Sequence, residues 1–252
     1  MTQKNIDLIK KLNIKEKREK KEKIITNLNK SFYEDEKIIE LGVDESGRGP
    51  LFGRVYTSAV ILPKDETFDF SKVKDSKKFH SKKKIEEVAE YIKLNALCWE
   101  INYVDEKTID EINILQATQL SMHNSINEVC RKYKEKYLVD KKDITFSLLI
   151  DGNYFNPITT YNKETNKFEN ISYVTIEGGD NKYASIAAAS ILAKVERDKY
   201  IAELCDKNPE LKEYYGIDKN KGYGVKKHLE GIKEHGISLW HRKTFSPCKN
   251  YI

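Results

Sequence analysis

A chain of 252 residues, 39% hydrophobic and 34% charged, is long enough to bury one substantial core, and no apolar run comes near the ~20 residues that a membrane span requires. Cys98, Cys130, Cys205 and Cys248 form neither a C-x-x-C pair nor a disulfide-dense pattern, and the charged N-terminus lacks the apolar centre of a secretory signal. The expectation is therefore a cytoplasmic protein with reduced thiols and no membrane partner. With a formal net charge of only +5, any nucleic-acid surface must come from local patches such as 72–84 and 219–249.

Residues 1–37 read as a lysine-rich helical extension. Ile6, Leu8, Ile9, Leu12 and Ile14 give one apolar stripe, and Ile24, Ile25 and Leu28 another, around an almost wholly charged 15–23. The pattern suits an exposed arm and a duplex-binding accessory equally. Strands are expected at 37–43 and 55–62, joined through Gly42-Val43-Asp44-Glu45-Ser46-Gly47-Arg48-Gly49-Pro50-Leu51-Phe52-Gly53. On a regular strand Asp44 and Glu45 point to opposite faces, so they share a ligand only where the backbone twists. Taken alone, the pair is also an ordinary acidic strand end before a Gly-Pro turn. Gly47 and Gly49 would let backbone N–H groups approach a phosphate or sugar, with Arg48 as an anion-binding fork.

Asp75-Ser76-Lys77-Lys78 leads into a helix with Ser81 as its N-cap and Ile85, Val88, Ala89 and Ile92 at helical spacing. A strand follows at 96–104 with Leu97, Trp99, Ile101 and Tyr103 on one face, then a single long helix over 107–136. The apolar run 146–150 ends in Asp151-Gly152, which fits both a site carboxylate at a buried strand's carboxyl end and a simple turn. A polar excursion over 157–170 returns as a strand at 171–176, before Glu177-Gly178-Gly179-Asp180. The helix over 185–204 is dense in alanine, so it can approach a sheet closely; Asp198 on it reads as half of a surface ion pair. Lys221-Gly222-Tyr223-Gly224 and His228 lead into a last helix over 226–235.

Strands alternating with helices after an antiparallel opening define an α/β domain over 38–252 with a mixed central sheet flanked by helices. Asp44, Glu45, Asp151 and Asp180 each fall at a strand end or a glycine-containing turn. If they converge they cannot all be ionised without cations, and hard divalent ions are the natural partners of an all-oxygen set. No G-x-x-x-x-G-K-[S/T] run or dinucleotide fingerprint is present, so the glycines at 47–53 make a poor nucleotide loop.

The segment from Asp44 to Pro50 resembles the DExGRGP signature of ribonuclease HII, the type 2 ribonuclease H family. The related ribonuclease HIII family carries GTG where this chain has Gly47-Arg48-Gly49. Asp75-Ser76-Lys77-Lys78, Asp151-Gly152, Gly179-Asp180, the run 185–195, Arg197-Asp198, Lys221-Gly222-Tyr223-Gly224, His228 and His241-Arg242 with Phe245 fall in the family's order, so the resemblance covers about 38–249. It implies a ribonuclease H-like fold in which Asp44, Glu45, Asp151 and Asp180 hold two Mg²⁺ or Mn²⁺ ions. It also implies that Gly47, Arg48 and Gly49 read a ribonucleotide 2′-hydroxyl and that Tyr223 stacks on the next deoxyribose, with a core tyrosine as the lesser alternative on sequence alone. Lys77, Lys78, Lys194 and Lys221 are then candidate phosphate contacts.

The expected substrates are RNA/DNA hybrids and DNA duplexes carrying single ribonucleotides, cut 5′ of the ribonucleotide by a monomer with a C-terminal helical substrate-binding segment. A non-catalytic duplex-binding protein and a ribonuclease HIII-like preference for long hybrids are the alternatives. Two departures from the family pattern are Arg54, where many members carry proline, and a longer connection over 156–170, expected as an insertion beside the site.

Overall fold

The computed structural model describes residues 28–137, 144–162 and 165–251; most of the expected helical extension lies outside them. A five-stranded sheet is built from β1 (Ile38–Ser46), β2 (Val55–Ile61), β3 (Cys98–Val104), β4 (Thr145–Asp151) and β7 (Ser172–Ile176), in the order β3-β2-β1-β4-β7. β2 is antiparallel to β1 and β3, while β1, β4 and β7 run parallel, so the sheet is mixed as expected.

Side-chain alternation along β1 sorts the helices onto two faces. Leu41 and Val43 join Leu148, Ile150 and Ala59 in a core sealed by Met122, Ile126 and Val129 of α3 (Ile114–Tyr137). On the opposite face Val60 packs with Ala187, Ala188 and Ile191 of α4 (Ala184–Lys207) and with Ile85, Val88 and Ile92 of α1 (Lys82–Asn95). Gly42 has no room for a side chain here, since a Cβ would stand 2.1 Å from the Ser185 carbonyl carbon. The alanine-rich face of α4 thus rests directly on the β1 backbone. Ser190, just over one helical turn further along, is thereby brought level with Asp44.

Ser81 caps α1 as expected, its hydroxyl accepting from Lys84 N at 3.4 Å. The long helix expected over 107–136 is instead two, α2 (Glu106–Ile112) and α3, broken at Asn113 with φ 68°. The Asn113 side chain accepts from Gln116 N at 3.1 Å, capping the second helix at the residue that ends the first. Apolar periodicity runs through the break and hides it. In β3 the fully buried positions are Cys98 and Val104; of the expected face, Trp99 and Ile101 are only partly covered and Tyr103 is exposed.

The polar excursion forms a hairpin of β5 (Thr159–Asn162) and β6 (Lys167–Asn170). It does not lie beside the acids. Ser172 pairs with Ser147 at one end of β4 and β7, and Ile176 with Asp151 at the other, so the hairpin feeds the sheet from the end remote from Asp151.

Two further segments brace the acidic end. Residues 28–37 form an irregular strap: Asn29 exchanges backbone hydrogen bonds with Lys182 and Ala184, and the Phe32 and Tyr33 N–H groups donate to the buried Glu40 carboxylate at 2.9 and 2.7 Å. The short helices α5 (Glu210–Tyr215) and α6 (Ile217–Asn220) and the longer α7 (Lys226–His235) close around Leu51 and Phe52 with Ile201, Leu211, Tyr215 and Ile232. Among the described residues no helix is long and apolar enough to cross a membrane.

Candidate active site

At the carboxyl ends of β1 and β4 lies a cleft of about 270 Å³ lined by Asp44, Glu45, Ser46, Gly47, Arg48, Gly49, Ser76, Lys77, Asp151, Ser190, Lys194 and Tyr223. Strand alternation does separate Asp44 from Glu45, as β1 remains regular through both. They nevertheless border one cleft because β1 ends at Ser46 and exposes both faces of its tip. Asp44 is buried against α4, where Ser190 hydrogen-bonds its carboxylate and its Oδ1 accepts from the backbone N of Glu45 at 2.7 Å. Ser190 is itself paired with Ser76 at 3.0 Å. Glu45 meets Arg48 at 3.4 Å.

Asp151 Oδ1 accepts from Gly179 N at 2.7 Å, which ties the end of β4 to the 3₁₀ turn Gly179–Asn181. Asp180 on that turn is 2% exposed and lies behind the lining residues, held by Lys77 Nζ at 3.2 Å and Asn181 Nδ2 at 3.0 Å. All four acids therefore belong to one connected constellation.

Its electrostatics are unfavourable for the protein alone. Burial pushes the Asp44 carboxyl well above the ordinary carboxylate range, and the charges of Glu45 and Asp151 add to it. Burial also raises Glu45, opposed by Arg48 and reinforced by Asp151. Asp151 is raised by burial, with the Gly179 N–H opposing and Asp180 adding. A cation in the cleft would relieve all three.

Among the described residues, no three Asp, Glu, His or Cys side chains stand close enough together to hold a metal ion by themselves. The donors are oxygens alone, so the residues present fit hard divalent ions.

The glycine-arginine turn is built from beneath. Gly47, with φ +96°, could not carry a Cβ without placing it 2.2 Å from Arg197 Nε. Arg242, fully buried, spreads its guanidinium over four carbonyls, those of Gly47 (2.6 Å), Arg48 (2.9 Å), Pro50 (2.8 Å) and Gly53 (2.8 Å). Arg197, also buried, donates to Arg54 O, Phe52 O and Lys221 O. Carbonyls turned inward onto two arginines leave the opposite side of the turn to the cleft. Tyr223 lies alongside, its Cε1 3.6 Å from where a Gly49 Cβ would stand, with the residue 49% exposed.

The expected lysines divide. Lys77 and Lys194 line the cleft, Lys194 also pairing with Asp198 at 3.1 Å in the ion pair anticipated along the helix. Lys78 reaches the acidic turn through Asn181 Oδ1 at 2.7 Å. Lys221 turns away, its ammonium donating to Asp218 O at 2.7 Å. Arg54 is stacked between Tyr103 and Tyr200, 4.1 and 4.4 Å from the ring centroids, and does not line the cleft. Ser76 and Ser190 at the site, and Arg197 and Arg242 as its underpinning, have roles that sequence reasoning did not assign. The small-residue face of α4 could have pointed to Ser190, but nothing local to Arg242 distinguishes it from a surface arginine.

Residues 41–248 match the family model described as Ribonuclease HII. The ribonuclease HII of Bacteroides thetaiotaomicron is 42% identical over 214 residues, covering 85% of this chain and 92% of that protein. Among solved structures, the ribonuclease H2 of Pyrococcus horikoshii aligns with a TM-score of 0.56 at 22% identity, over 84% of this chain and 96% of that one. Bst-RNase HIII in complex with Mn²⁺ aligns with a TM-score of 0.59 at 17% identity, over 85% and 69%. The two structural likenesses carry the fold.

Proposed function

The chain belongs to the ribonuclease HII family and is a ribonuclease H enzyme, and from that premise we propose that it is a two-metal endonuclease acting on RNA/DNA hybrids and 5′ of single ribonucleotides in duplex DNA. The observation that carries the proposal is the shared cleft: acids from β1 and β4, the glycine-arginine turn and a half-exposed tyrosine line one small space.

Asp44, Glu45, Asp151 and Asp180 would hold the ions, an assignment supported by three upward-shifted carboxyls and by the Mn²⁺ complex formed by the structural neighbour Bst-RNase HIII. Bound by these acids, divalent ions would lower the pKa of a coordinated water and offset negative charge on the reacting phosphodiester. The protein's own contribution is fixation. Ser190 and the Glu45 N–H hold Asp44, Gly179 N–H holds Asp151, and Lys77 with Asn181 holds Asp180, so the carboxylates need little reorganisation when substrate arrives.

The turn at Gly47, Arg48 and Gly49 brings backbone within reach of a 2′-hydroxyl, the group that separates RNA from DNA at a given nucleotide. Tyr223 offers a flat face to the following sugar. Lys77, Lys78 and Lys194 supply charge toward phosphates, which adds salt-dependent affinity without sequence preference.

The test is cleavage of three labelled duplexes, one all-DNA, one with a single ribonucleotide and one a full hybrid, with Mg²⁺, Mn²⁺ or chelator, beside Asp44→Asn. Both ribonucleotide-containing duplexes should be cut only with metal, and neither by Asp44→Asn. Binding without cutting under every condition would reject the catalytic assignment.

A further inference from the structure

Behind Tyr223 lies a pair of histidines that the proposed chemistry does not use. His228, on α7, and His241 are 0% and 1% exposed, and their Nε2 atoms are 2.9 Å apart. The surrounding donors fix every proton. Ser238 N donates to His241 Nδ1 at 2.9 Å, so that nitrogen accepts and the ring carries its hydrogen on Nε2. This hydrogen points at His228 Nε2, which must therefore accept. His228 then carries its hydrogen on Nδ1, 3.0 Å from the Tyr223 carbonyl.

We propose that His228 and His241 form a neutral, one-directional hydrogen-bond relay that holds the Tyr223 backbone, making both rings positioning residues for the aromatic face that meets substrate. The inference rests on the reading of Tyr223 as a substrate contact. The relay joins two segments that must stay in register. His241 pairs with Phe52 in an isolated bridge, Arg242 N donates to Leu51 O at 2.9 Å, and Leu51 N donates to Gly222 O at 2.8 Å. The flank of the glycine-arginine turn and the residue before Tyr223 are thus tied to the same two rings.

The pair is built to remain uncharged. Tyr215 packs edge-on against both rings, with centroids 6.1 and 4.9 Å away, and Phe52 covers His241 at 5.2 Å. Arg242, next in the chain, directs its guanidinium to the carbonyls of the turn, and among the described residues neither ring is ion-paired with a carboxylate. Burial lowers both rings, His241 further through the presence of His228, to about 3. An added proton would set N–H against N–H at one link of the chain.

The experiment combines ring-nitrogen NMR of the full chain with kinetics on the single-ribonucleotide duplex. His228 should be the Nδ1–H tautomer and His241 the Nε2–H tautomer, with neither titrating between about pH 8 and pH 5. The opposite tautomers, or titration of either ring in that range, would overturn the relay. The Tyr223 carbonyl also accepts from Val225 N at 2.8 Å, so what His228→Phe leaves unmade is one of its two bonds and the buried His241 Nε2–H. His228→Phe and Tyr223→Ala should each lower kcat/KM by roughly tenfold, and the double variant should lose no more than Tyr223→Ala alone. His228→Asn, which keeps a donor at the Nδ1 position, should recover most of the loss even if His228→Phe folds poorly. Full activity in His228→Phe beside a crippled Tyr223→Ala would reject the relay, whereas an unimpaired Tyr223→Ala would reject the substrate role of Tyr223.

Discussion

Replacing Arg242 by leucine is the severest test of how the turn is built. The side chain is fully buried and makes hydrogen bonds to the carbonyls of Gly47, Arg48, Pro50 and Gly53 at 2.6–2.9 Å. Burial and the neighbouring Arg197 both work against its positive charge, the nearby Glu106 and Asp110 favour it, and the four carbonyls replace the hydrogen bonds it would make to water. Leucine leaves these acceptors facing an apolar side chain. Each buried acceptor without a donor costs about 1–3 kcal/mol, and allowing the turn to relax toward water puts the whole near the low end, about 4 kcal/mol. That is the exceptional range for one substitution, and in a chain of this size it lowers Tm by roughly 8–16 °C. Arg242→Lys keeps the charge but not the fork, and should recover less than half of the loss. Thermal unfolding followed by circular dichroism gives the magnitude, and single-turnover cleavage below the transition tells whether the surviving fold still presents the turn. A shift of under about 3 °C with wild-type cleavage would refute this account of the turn.

Gly47→Ala asks the same of the turn from the other side. Its Cβ would overlap Arg197 at a φ of +96°, so cleavage of both substrates should fall at least tenfold with a loss of about 1–3 kcal/mol, read by urea unfolding and initial rates. The raised carboxyls set the sign of a pH effect. In chelator the folded state binds more protons than the unfolded one above the ordinary carboxylate pKa of about 4, so stability should fall as pH rises from there. Asp44→Asn should flatten that fall, as measured by Tm against pH. Mg²⁺ or Mn²⁺ at a hundred times its dissociation constant should stabilise the wild type by about 2.7 kcal/mol, and the variant by much less, in the same thermal assay. Among the lysines, Lys194→Ala should reduce the slope of log binding constant against log salt by about 1, because Lys194 lines the cleft, while Lys221→Ala should leave it unchanged because its ammonium is directed away from the cleft to Asp218 O. Filter binding with an inactive Asp44→Asn background measures both.

Much of the site was legible because its residues sit where chain patterns break. Asp44, Glu45 and Asp151 end apolar runs, and the glycines around Arg48 mark a turn, so local sequence located them before their convergence was known. The order β3-β2-β1-β4-β7 was beyond reach of periodicity, which sees each strand but not its neighbour. The helix break at Asn113 escaped because two helices in sequence keep one apolar rhythm. The hairpin was misplaced for a topological reason: sequence distance from Asp151 is short, but the chain returns along the sheet before β5 begins. Arg242 and the histidine pair were visible as residues and opaque as parts, since their meaning depends on carbonyls and rings brought from up to 195 positions away.

The central claim, that the cleft reads a lone 2′-hydroxyl and hydrolyses the phosphodiester on its 5′ side, is met most directly by mapping the cut at nucleotide resolution in a duplex with one ribonucleotide, and by identifying the ends. The expected product is a metal-dependent nick with a 3′-hydroxyl on the DNA side and a 5′-phosphate on the ribonucleotide. A cut on the 3′ side of the ribonucleotide, or a cyclic phosphate end formed by the 2′-hydroxyl itself, would contradict it.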